Sequence, residues 1–146
     1  MSESWPVRKK RLLPQAPSAA LRAELARRSL PEFVRQAWHV VEPQTPFVPG
    51  WHLDAIAEHL EAATRGEIRS LIVNVPPRHA KSLLVSVFWP CWVWATRPGT
   101  RWLYASYAAG LSVRDSLKCR RLIESPWYQQ SFGHAFKLAG DQNLKM

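Results

Sequence analysis

Cysteine is scarce in this chain: Cys91 and Cys119 are the two it has. Both fall in apolar, helix-patterned stretches, which excludes a disulfide-stapled secreted scaffold and predicts reduced structural thiols in a cytoplasmic protein. No spacing among them and the five histidines matches a zinc site. No apolar run approaches the roughly 20 residues a membrane span needs. The longest, Leu83 to Ala95, is interrupted by Pro90 and reads as a buried helix. No apolar core follows the basic run Arg8 to Arg11, so a secretory signal peptide is excluded as well.

Acidic residues are the most informative shortage. Eleven stand against twenty basic ones, for a net charge of +9. None lies between Glu67 and Asp115, and beyond Lys81 there are just Asp115, Glu124 and Asp141. The basic excess favours an anionic partner and salt-sensitive association, without saying which anion. A nucleotide-hydrolysing centre needs an acid at the end of a neighbouring strand to organise Mg²⁺ and a second group to position water. No acid here ends a hydrophobic run. Asp54, Glu58 and Glu61 fall on a helical pattern and read as a solvated face.

What the chain does carry is the run from Ser70 to Ser82, SLIVNVPPRHAKS. Leu71, Ile72, Val73 and Val75 predict a short strand, and a turn then opens a helix near Lys81. A helix start exposes unpaired N–H groups and the positive end of its dipole, a suitable seat for phosphate. The pattern G-x-x-x-x-G-K-[ST] matches at Lys81 and Ser82 and loses its glycines to Val75 and Ala80. Lys81 is placed to reach the β and γ phosphates, and the Ser82 hydroxyl to hold Mg²⁺. Arg78 and His79 add donors, and Arg78 could offset charge during γ-phosphoryl transfer. Lys81 and Arg78 are thus the candidate catalytic residues. Pro77, Arg78, His79, Ala80, Lys81 and Ser82 form the candidate site for ATP, with Ser82 the candidate ligand to Mg²⁺. The alternative is a strand-to-helix corner with its cations in solvent. The methyl group of Ala80 opposes both a positive φ and close approach to phosphate.

Before this run, residues 1–17 mix prolines with basic residues and predict an extended tail. Residues 18–48 predict a helical extension: Ser18 caps one helix, Pro31 opens a second, and Phe33, Val34, Ala37, Trp38 and Val41 form its apolar face. Pro43, Pro46 and Pro49 mark a connector. A third helix carries Leu53, Ile56, Ala57, Leu60 and Ala63 and ends at Gly66. Trp51 or His52 could stack on a base, or simply pack. After the apolar helix, Arg101 to Tyr107 predicts a second strand in a β-α-β unit, with Ser106 and Tyr107 at its carboxyl end, where ligands collect. The next helix, near Ala108 to Glu124, places Arg114, Lys118 and Arg121 in one stripe, either a DNA-phosphate track or a solvated face. Two strands alone make a poor sheet.

The segment Val75 to Leu83 resembles the Pro-Pro-Arg-His-Gly-Lys-Ser form in large subunits of tailed-phage terminases. The similarity continues in Pro49 to Leu60, Arg101 to Tyr107 and Ser112 to Tyr128, and covers about residues 32 to 143. The resemblance implies an α/β fold: an incomplete P-loop NTPase domain over residues 49–146, with a helical N-terminal extension. It implies ATP and Mg²⁺ as cofactors, and packaging of double-stranded DNA into procapsids. In the intact motor it implies a portal protein and a small terminase subunit as partners, self-assembly, and a downstream nuclease domain. Ala80 replaces the commoner glycine. The chain therefore reads as an N-terminal fragment with weak nucleotide binding and negligible hydrolysis by itself. A helicase-like P-loop ATPase, or a non-catalytic piece that binds DNA or assembly partners, are the alternatives.

Overall fold

The computed structural model describes residues 17–136 and 138 of the 146-residue chain. The expected basic tail therefore lies almost wholly outside the described residues. The elements in order are α1 (Ala19–Arg28), α2 (Leu30–Val41), α3 (Trp51–Arg65) and α4 (Lys81–Leu83). A π turn (Leu84–Phe88) runs straight from α4 into α5 (Trp89–Thr96), and α6 (Ala109–Glu124) and α7 (Pro126–Phe132) complete the set.

The helix boundaries follow local chemistry. Ser18, Ser29 and Ser125 each accept a hydrogen bond from a first-turn N–H of α1, α2 and α7 respectively. Gly66 ends α3 at φ 84°, a left-handed geometry that favours glycine. Glu61 of α3 adds a cap across the fold, its carboxylate accepting from the Leu30 N–H at 2.6 Å. Asp54 pairs with Arg35 at 3.1 Å. The face expected to be merely solvated therefore fastens α3 to α2.

The expected α/β architecture is corrected here. Among the described residues there is no strand and no sheet. Residues 70–76 and 101–106 carry no regular secondary structure, and no ladder hydrogen bonds join them to each other or to a third segment. The two-residue alternation survives in the first segment: Leu71, Val73 and Val75 pack against the core while Ile72 is 85% exposed. The alternation that composition predicts is thus present without strand pairing, because a ladder needs a second backbone in register.

The core is helix on helix. Phe33 of α2 meets Trp127 and Phe132 of α7 with ring centroids 5.3 and 5.9 Å apart. Trp92 of α5 donates its indole N–H to the carbonyls of Ala26 and Arg27 at 3.1 and 3.2 Å. As expected, the apolar stretch after Lys81 is buried, including Leu84, Val87, Phe88, Cys91 and Val93. Its π turn has a local cause. Pro90 has no N–H for the Ser86 carbonyl, and its ring would crowd that oxygen in a regular helix. The backbone widens so that the Trp89 N–H reaches Leu84 O, and Cys119 Sγ, 3.2 Å away, donates to Ser86 O instead. Cys91 and Cys119 are free and buried, the structural thiols expected. No helix among the described residues is long and apolar enough to cross a membrane.

Candidate functional site

The run into Lys81 turns twice through left-handed backbone. Arg78 has φ 67° and Ala80 has φ 55°. Successive left- and right-handed residues point neighbouring N–H groups into one concavity, a geometry that suits anions. Right-handed helix begins at Lys81, and the first backbone bond back to the turn is Leu84 N–H to Ala80 O at 2.9 Å. No side chain caps this start, in contrast to the serine-capped α1, α2 and α7. His79 is fixed within the turn, its Nδ1 3.0 Å from Pro77 O.

The turn forms one wall of a cavity of about 830 Å³. Every residue of the predicted binding set lines it: Pro77, Arg78, His79, Ala80, Lys81 and Ser82. The opposite wall holds residues that local sequence reading did not connect to the turn. Trp38 lies beneath it, stacked on Phe88 and bonded through its indole N–H to Thr45 O at 2.8 Å. Glu42, the residue that ends α2, also lines the cavity, as does Arg114 of α6. No periodicity or motif could have found Glu42 and Arg114, because the fold alone brings them to the turn.

Charge around the cavity is uneven. Among the described residues neither Lys81 nor Arg78 has an acidic partner within ion-pair distance. Glu42, the carboxylate in the cavity wall, is engaged by Lys118 at 2.5 Å. Arg114 pairs with its neighbour Asp115 at 2.8 Å. The expected cationic stripe of α6 is accordingly divided: Lys118 and Arg114 hold acids, and Arg121 faces solvent.

A second cavity of about 230 Å³ adjoins the first, and Ser82 and Arg114 line both. Ser86, Ser106 and Asp115 line the smaller one. Ser106 lines the smaller cavity, although not from a strand end, whereas Tyr107 is 96% exposed. Trp51 does not pack in the core either. It is 84% exposed and leads edge-on through His52 to His79 of the turn, with centroid separations of 6.2 and 5.3 Å.

This donor set fits a polyphosphate well: an uncapped concave turn, unpaired cations and a hydroxyl. Its fit to Mg²⁺ is narrower. Ser82 offers an oxygen, the Glu42 carboxylate is occupied, and no cluster of three metal-ligating side chains occurs among the described residues. A magnesium ion there would draw most of its ligands from phosphate and water, its usual habit. Comparison with family models, curated proteins and solved structures finds no significant match for the chain.

Proposed function

We propose that the turn Pro77–Ser82 binds the polyphosphate of ATP, and that the chain is the nucleotide-binding portion of a terminase large subunit that drives double-stranded DNA into procapsids in the host cytoplasm. The observation that carries the nucleotide half is the convergence of Arg78, Lys81 and Ser82 on one cavity wall, at a left-handed turn, with the Glu42 carboxylate of the same cavity held by Lys118. The packaging half rests on the resemblance of four separated segments in order, and the net charge of +9 suits a DNA partner.

In this reading main-chain N–H groups from Ala80 to Leu83 and the Lys81 ammonium hold the phosphates. Arg78 meets them from the turn, and Trp51 with His52 offers an exposed aromatic face to the base. Turnover is slow because Glu42, the carboxylate in the cavity wall, is held by Lys118 at 2.5 Å. A fluorescent-ATP titration of the wild type against Lys81→Ala tests the proposal. Loss of a charged donor to phosphate is expected to weaken binding by roughly tenfold or more. Equal binding by the two proteins removes the turn as a nucleotide site.

A further inference from the structure

Arg114 and Ser82 are the residues shared by the two adjoining cavities, and they approach from different elements: Ser82 from the turn, Arg114 from α6. We infer that Arg114 reads the terminal phosphate, distinguishing a nucleoside triphosphate from a diphosphate by exchanging Asp115 for the phosphate oxygens. This inference rests on the reading of Pro77–Ser82 as a polyphosphate site.

Three observations support it. First, Arg78, Lys81 and Ser82 all belong to the turn and grip phosphate from one side; a further phosphate lying past Ser82 enters the space where Arg114 is the cation available. Lys118, one helical turn further along α6, is committed to Glu42 at 2.5 Å. Second, the Arg114 side chain is 52% exposed and adjacent residues on a helix do not face each other, so the guanidinium can swing from its neighbour toward the cavity; Asp115 is 14% exposed and lines the smaller cavity itself, so the exchange takes place beside it. Third, the guanidinium is a planar fork that binds phosphate through two parallel hydrogen bonds, whereas both of its contacts with Asp115 go to one carboxylate oxygen.

The full chain is titrated with fluorescent ATP and ADP analogues as wild type, R114Q, R114K, D115N and K81A. The expected result is that R114Q weakens ATP by roughly tenfold and leaves ADP within about twofold, so that the preference between them collapses. R114K recovers part of that preference, and D115N, which frees the guanidinium, strengthens ATP and not ADP. Equal weakening of both nucleotides by R114Q, or none at all while K81A abolishes binding, overturns the inference and leaves the turn reading intact. Insensitivity of every variant, K81A included, overturns both. Should R114Q fail to fold, D115N decides, since an ATP affinity equal to wild type then overturns the role of Arg114.

Discussion

Ala80 holds φ at 55°, in the region where a Cβ crowds its own backbone. That conformation costs an L-residue about 1–2 kcal/mol, while glycine there costs less when folded and loses more entropy on folding. Ala80→Gly is therefore expected to stabilise the chain by about 0.5–1 kcal/mol in urea unfolding, and Ala80→Val, β-branched at the same φ, to destabilise it by at least about 1 kcal/mol. Indifference to both substitutions would mean that the turn is not left-handed in solution. The sequence posed the problem of a methyl group at this position, and the structure answers it by accepting the strain. That Lys81 and Ser82 open a helix after a turn was legible for the simpler reason that both features are only a few residues long. Glu42 and Arg114 could not be linked to Lys81, since nothing short-range ties them to it.

At the scale of the element, capping decides where helices start. The Ser125 hydroxyl accepts from the Tyr128 N–H at 3.2 Å and donates to Leu122 O at 2.7 Å, joining the end of α6 to the start of α7 in a buried corner. Ser125→Ala is expected to cost about 1–2 kcal/mol, because the buried Tyr128 N–H loses its partner away from water, while Leu122 O keeps the Ser125 N–H at 3.2 Å. Ser18→Ala, at an exposed cap, is expected to cost less. Comparison of their denaturation midpoints checks the order. Pro90 works in the opposite sense: by withholding an N–H it converts one turn of a buried helix to π geometry and hands the Ser86 carbonyl to Cys119. The apolar composition predicted a buried helix, but the thiol that repairs the proline's defect lies on another helix. Residues 70–76 and 101–106 fail as strands for a related reason, since composition favours a strand locally while pairing requires a remote backbone.

For the whole molecule, the burial that makes the core also ties its stability to pH. Burial pushes the Cys91 thiol well above its usual 9.0, and pushes the Tyr128 phenol, which donates to Cys91 O at 2.8 Å, far above its usual 10.0. Both groups hold their protons more tightly folded than unfolded. Their contribution is fully present below pH 9 and is lost as pH rises through 9 and 10, where the unfolded chain releases protons the folded chain retains. Burial pushes the Tyr104 phenol up as well, so stability is expected to fall above pH 10 with all three groups contributing, and Tyr128→Phe to make that fall shallower without abolishing it. An unchanged slope in Tyr128→Phe would show that the phenol ionises equally in both states.

By itself the sequence determined the helix ends, the alternating burial of residues 71–75, the buried run after Lys81 and the cationic excess. Each of these rests on bonds and preferences that reach no more than a few residues along the chain. Only the tertiary structure decided that residues 70–76 and 101–106 stay unpaired, that Lys118 of α6 reaches Glu42, and that α2 and α6 close a cavity over the turn. Those outcomes depend on contacts between residues far apart in the chain, whose partners are selected when the helices pack together.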